Sequence, residues 1–289
     1  MAKIPPAAGW SSDDWRRWFD ELIDQARACL RGLSDLEGRE AAKQVHAVRK
    51  TLKRLRSATR LLKGVVPQEV LRRNRLLFRD AARLLAGSRD GTVRLQTFHS
   101  LVGANERKTR DLADVRLALA TEAARGEEQA GAGAEEALAL LEKVACPRRF
   151  WGAAGEVRIK RNLGALLKRA RRDYRDVMTG KSLEFHELRK RVKDLFYSLQ
   201  ALPGEPKGSR RRALKSLKTL EESLGLQNDL FVLEEWFNER GYGLKQCPRF
   251  WQAASRRERK LRKRIKREGA LLEELGRDPK YRKAFASSA

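Results

Sequence analysis

His46, Arg49, Lys53, Arg56, Arg60 and Lys63 follow one another at three- and four-residue steps. On an α-helix that spacing puts all six on one face, as a continuous positive ridge. Arginine offers a planar fork of donors to phosphate oxygens, and lysine a mobile point charge. A histidine ring adds N–H donors, and a neighbouring anion raises its protonated fraction. The chemistry open to such a ridge is to hold a polyanion. Residues 41–68 contain no Asp or Glu, so no acid on the same helix relieves the repulsion between like charges at i,i+4. A merely solvated face, with basic stems covering the core edge, usually carries glutamates at those positions. An anion lying along the ridge explains their absence better.

The ridge has to be positioned by a helix, and the same stretch supplies one. Val45, Val48, Leu52, Leu55, Thr59 and Leu62 sit one residue behind the basic positions. One residue is about 100° of rotation, so an apolar stripe runs beside the basic one and predicts a core-packed helix near 40–64. A second copy lies further along. His46-Ala-Val-Arg49-Lys50-Thr-Leu-Lys53 superposes on His186-Glu-Leu-Arg189-Lys190-Arg-Val-Lys193, with four of eight positions identical. Its apolar stripe is Phe185, Leu188, Val192, Leu195, Leu199 and Leu202. Its basic ridge stops after Lys193, where Phe196 and Gln200 follow. The same shift carries the helix starting near 12 onto 152 and the one starting at 67 onto 207. It lays Leu77 and Leu84 over Leu217 and Leu224, and Arg72 and Arg75 over Arg212 and Lys215, with Lys218 near the position of Arg79. Arg89-Asp90 meets Asn228-Asp229 one residue out of step. One shift that maps several helices implies two copies of a roughly four-helix unit, repeat 1 at 12–146 and repeat 2 at 150–275 of a single domain spanning 1–289. Arg72, Arg75 and Arg79, with Arg212, Lys215 and Lys218, are expected to bring further basic ridges to one shared groove.

Bulk composition agrees. The chain has 289 residues, 64 Lys and Arg against 38 Asp and Glu, and a formal charge of +26. Such a charge favours anionic partners. Apolar periodicity is helical nearly throughout and nothing reads as a strand, so the class is all-α. A first helix is expected to start near 12, carrying Trp15, Phe19, Leu22, Ile23 and Leu30 at helical spacing, and others near 67–87, 89–103, 106–125, 133–145, 154–178, 182–202, 207–224, 228–240 and 249–275. The first follows Ser11-Ser12-Asp13-Asp14, a good capping cluster. Breaks are expected at Gly64/Pro67, Pro147, Gly180, Pro203–Pro206 and Gly241–Gly243, and segment 126–136 as a linker or loose loop. Cys29, Cys146 and Cys247 are an odd, sparse set without zinc spacing, which argues against a disulfide framework and predicts a cytoplasmic protein. No signal peptide and no apolar run of spanning length stand out, so no membrane role is expected.

The pattern formed by His46, Arg49, Lys53, Leu55 and Arg56 resembles the first motif of the CHAD family, and HELRKRVKDLFY at 186–197 resembles the second. The resemblance covers nearly the whole chain. It implies two four-helix bundles about a pseudo-two-fold axis, a basic central channel that binds inorganic polyphosphate without catalysis, and targeting to polyphosphate granules. It nominates His46, Arg49, Lys53, Arg56, His186, Arg189 and Lys193 as polyphosphate contacts. The second copy departs from the motif at Phe196, and Asp194 stands where the first copy has Arg54, so it is expected to contribute less charge. The triphosphate-tunnel enzyme domain that often accompanies this family is not expected, because Glu156-Val-Arg158-Ile-Lys160 has the wrong middle residue for its strand motif.

Two other readings come from different classes. Residues 256–267 hold nine basic side chains in twelve and could lie along an RNA or DNA backbone, but aromatic stacking platforms are few and no nucleic-acid motif occurs. An enzyme acting on phosphoanhydrides would want paired carboxylates for Mg²⁺ or a GxxxxGK[ST] loop. No such loop occurs, and Asp90 and Asp229 read as helix caps. No catalytic residue, metal site or cofactor is therefore expected.

Overall fold

The computed structural model describes residues 12–85, 90–103, 111–128, 132–145, 154–181, 184–202 and 208–277. Ser11, Cys146, the breaks at Pro147 and Pro203–Pro206, and the start of the helix expected near 106 lie outside them. Among the described residues the elements are helices alone: α1 (Ser12–Arg31), α2 (Gly38–Leu61), α3 (Gln68–Leu84), α4 (Asp90–Val102), α5 (Ala113–Glu128), α6 (Ala134–Glu142), α7 (Ala154–Met178), α8 (Phe185–Ala201), α9 (Gly208–Glu239) and α10 (Pro248–Arg277). None of these helices is long and apolar enough to cross a membrane.

The apolar stripes pack as their spacing dictates. Val45, Val48, Leu52, Leu55, Thr59 and Leu62 of α2 are buried, and so are Leu188, Val192, Leu195, Leu199 and Leu202 of α8. Each fully buried leucine contributes about 1.5–3 kcal/mol, which outweighs the repulsion along the basic ridge. Helices α1, α2, α3 and α6 touch in a closed ring, and α7, α8, α9 and α10 in another. The rings meet where α2 packs on α8, and one continuous core runs through both.

A second core lies beside them. Helices α4 and α5 pack on each other and α4 on α9 and α10, enclosing Phe98, Leu112, Leu119, Phe237 and Phe250. The Phe237 and Phe250 rings stack with centroids 3.6 Å apart. Glu122 of α5 ties this unit to its neighbours: it accepts from Arg94 at 2.7 Å, Arg240 at 2.6 Å and the Trp236 indole at 3.0 Å. Burial opposes the charge of Glu122, yet the Trp236 and Arg94 donors hold its carboxyl below the ordinary value.

Three expectations change. The helices expected at 207–224 and 228–240 are one, α9. Gly225, in the gap between the two expected helices, stays helical and buried, and a Cβ there would stand 3.7 Å from Arg189 Nη2, an ordinary contact distance. The glycine does not end the helix. The register between α3 and α9 is also one residue different: α3 buries Asn74, Phe78, Ala81 and Leu85, and α9 buries Ala213, Leu217, Leu220 and Leu224. Phe78 and Leu85, not Leu77 and Leu84, thus match Leu217 and Leu224, and Leu84 is 42% exposed. The same one-residue difference brings Asp90 into step with Asp229. Finally, the described part of 126–136, expected as a linker or loose loop, is the end of α5, a turn at 132–133 and the start of α6. A Cβ on Gly133 would come within 2.6 Å of the Leu84 carbonyl oxygen, so this segment is packed against the end of α3.

Glu234 of α9 is pushed up to about 7, first by burial and then by Glu258 of α10. A carboxyl whose folded value lies above its unfolded one binds its proton more tightly when folded. Its effect on stability is therefore neutral below the unfolded value, grows unfavourable as pH rises from the unfolded value to the folded one, and is constant above that. The melting temperature is expected to fall between about pH 4.5 and pH 7, and Glu234→Gln to flatten that slope. An unchanged slope in the variant would assign the dependence to other groups.

Candidate functional site

Helices α2 and α8 carry their basic ridges to one place. A cavity of about 620 Å³ is lined by His46, Arg49, Lys50 and Lys53 of α2 and by Arg189, Lys193 and Tyr197 of α8. Helix α4 adds Asp90, Val93 and Arg94, and α9 adds Glu221, Glu222, Asn228, Asp229 and Val232. Side chains distant in sequence converge because α2 and α8 are the helices that join the two rings.

Helix α8 does contribute, but not in the way α2 does. His46 lines the cavity whereas His186 is exposed outside it. His186 Nδ1 lies 2.8 Å from Asn228 Oδ1. An amide oxygen only accepts, so the ring N–H donates and holds Asn228 on the cavity wall. Lys193 Nζ is 3.1 Å from Glu221. Burial, and then the nearby Arg189, pull its pKa down, while Glu221 works to raise it. Arg189 Nε is buried without a hydrogen-bond partner, which is costly. Lys190 points away and pairs with Glu187 at 2.5 Å. Phe196 packs against the core.

The ridge of α2 has no acid of its own, but other helices supply some. Asp194 of α8 accepts from Arg60 Nη1 at 2.6 Å, with the two side chains 15% and 31% exposed. Burial raises the Asp194 pKa, against the pull of Arg60, Arg191 and Arg56. Burial likewise lowers Arg60 and Arg56. Arg56 stands midway along the ridge, near Asp194 and within the field of Arg75, Arg79 and Arg83. The folded Asp194 carboxyl takes up its proton above the usual pH, and the loss of its charge releases Arg60. Asp194→Asn is therefore expected to strengthen polyanion binding roughly two- to fivefold, the worth of a partly exposed pair. It is also expected to flatten any rise of affinity on acidification. A variant with weaker binding at neutral pH would contradict this.

The remaining expected contacts do not join the cavity. Arg72 and Arg75 of α3 line a separate bay of about 710 Å³, together with Arg60. Arg79 pairs with Asp80 at 2.8 Å, and Lys218 lies 3.7 Å from Glu222. Arg212 and Lys215 are exposed on α9 and line neither cavity. Side chains one helical step around α9 cannot reach the face that α9 turns toward α8, so the expected four-ridge groove becomes two ridges and a neighbouring bay. The sequence reading missed Arg94, Glu221 and Glu222. It took Asp229 for a cap, but this residue lies in mid-helix on the cavity wall. The matched pair Asp90 and Asp229 was the available signal.

The family model for the CHAD domain matches residues 17–238. The chain belongs to the CHAD domain family. The helices that build the cavity, α2 through most of α9, fall inside the matched span. Among solved structures, the crystal structure of the CHAD domain from the plant Ricinus communis resembles this CHAD domain with a TM-score of 0.61 and 19% identity, covering 99% of this chain and 94% of that one. At that identity the likeness is one of fold. None of the curated proteins matches the chain.

Proposed function

We propose that this CHAD domain is a non-enzymatic binding module for inorganic polyphosphate, held in the cavity between α2 and α8. The observation that carries the reading is the convergence of His46, Arg49 and Lys53 with Arg189 and Lys193 on one cavity wall. In this reading the two helical rings are copies of one unit about a pseudo-two-fold axis, and the α2–α8 contact lies on that axis. The motif residues then face one another, and a chain of phosphates meets cations from both copies.

The carboxylates on the wall fit a binding role. Glu221 holds Lys193, and Asp90 and Asp229 stand among the cations. A wall already part-neutralised keeps the empty protein stable, and a polymer with many charges can displace such pairs where a single small anion cannot. The bound polymer would make this a cytoplasmic protein associated with polyphosphate granules. Titration with long-chain polyphosphate is expected to show tight binding that weakens steeply as salt rises, because each contact releases counterions. An RNA of equal total charge is expected to compete poorly, since the rings among the described lining residues are only His46 and the half-buried Tyr197. RNA displacing polyphosphate at equal charge would favour the nucleic-acid reading and the outer face of α10.

A further inference from the structure

We infer that the bay between α2, α3 and α7 is a second phosphate site, separate from the cavity between α2 and α8, and that it takes a short inorganic oligophosphate by itself. Six cations line it: Arg60 and Lys63 of α2 and its following turn, Arg72 and Arg75 of α3, and Arg158 and Arg169 of α7. No carboxylate is among its described lining residues. The cavity between α2 and α8, by contrast, sets six Lys or Arg against four carboxylates. Apart from Arg60, which meets Asp194, none of the bay's cations makes an ion pair among the described residues. Converging like charges around a concavity raises the local potential and concentrates anions there.

The bay is built rather than incidental. Asn162 of α7 donates to the carbonyls of Leu61 at 2.7 Å and Lys63 at 2.8 Å, which fixes the end of α2 against α7. Gly64 then turns the chain at φ +76°, and the Arg158 guanidinium lies over it. A Cβ at Gly64 would come within 2.6 Å of Arg158 Nε. The glycine thus serves both the left-handed turn and the seat of the arginine. The remaining lining side chains, Thr59, Gln68, Leu71, Ala165 and Leu166, are uncharged and include no aromatic ring. The site therefore recognises phosphoryl oxygens and has nothing to stack a base. Arg60 lies seven residues after Lys53, about 10 Å along the helix axis, with Arg56 between. A long polymer leaving the cavity between α2 and α8 meets the bay next.

The inference extends the polyphosphate reading but is separable from it. Calorimetric titrations would compare the wild type, Arg49→Glu/Lys53→Glu in the cavity, and Arg72→Glu/Arg158→Glu in the bay, with tripolyphosphate, ATP and long-chain polyphosphate as probes. Tripolyphosphate binding is expected to survive the cavity variant within about threefold, since the altered charges lie near a Debye length away. It is expected to fall on the order of a hundredfold in the bay variant, which loses two charge-assisted contacts. Arg72→Ala/Arg158→Ala is expected to give a smaller loss in the same direction, and the two bay variants should melt with the wild type because both side chains are exposed. Tripolyphosphate that binds the bay variants as tightly as the wild type overturns the site. ATP binding more tightly than tripolyphosphate overturns the ligand assignment. A wild type that holds tripolyphosphate in the bay yet ignores long chains would support the bay and refute the polyphosphate-module reading.

Discussion

Arg49→Glu combined with Lys53→Glu is expected to weaken binding of long-chain polyphosphate by about 10²–10⁴-fold. Each side chain lines the cavity on the face of α2 that meets α8, and a hydrogen bond to a charged group contributes about 1.5–3 kcal/mol. Two such contacts amount to about 3–6 kcal/mol, or two to four decades in affinity. Reversal adds repulsion beyond simple loss. The fold is expected to survive, because the buried side of α2 is carried by Val45, Val48, Leu52 and Leu55, none of which changes. The salt dependence of the residual binding is also expected to become shallower, since fewer counterions are released. Titration of the variant across several salt concentrations reads both effects. Wild-type affinity in the double variant would remove α2 from the site.

The largest effect on stability is expected from Phe237→Ala. Phe237 is fully buried, stacks on Phe250 and lies near Phe98. Large-to-small changes of this kind cost about 3–5 kcal/mol. The loss falls on the core shared by α4, α5, α9 and α10, not on the core through which α2 packs on α8. The urea midpoint should therefore drop sharply while binding at low denaturant weakens by less than about tenfold, through looser placement of the wall residues on α4 and on the second half of α9. Equal losses of stability and binding would show that the second core positions the whole site.

Much of this organisation can be read from spacing. The paired stripes of α2, apolar beside basic, foretell both what the helix buries and which face it turns to the site, because burial and charge repeat with the helical period. The matched motifs at His46 and His186 likewise foretell that α2 and α8 would be partners. Tertiary placement is what spacing leaves open. Equivalent positions in two motifs need not face the same space: His46 lines the cavity, and His186 instead orients Asn228 from outside it. Glycine in mid-sequence need not stop a helix, and Gly225 stays helical within α9. Acids on distant helices escape an argument confined to one ridge. Asp194 reads in sequence as a weakness of the second motif, yet in the fold it is the counter-charge of Arg60. The bay was hidden for the same reason, since Arg158 and Arg169 belong to α7 and meet α2 and α3 only when the rings pack.

The most direct test is a crystal structure with a short polyphosphate chain bound. Phosphorus density is expected between α2 and α8, within hydrogen-bond reach of Arg49 or Lys53 on one side and of Arg189 on the other. Density confined to the outer face of α10, along Arg256–Arg267, with none between α2 and α8, would contradict the assignment.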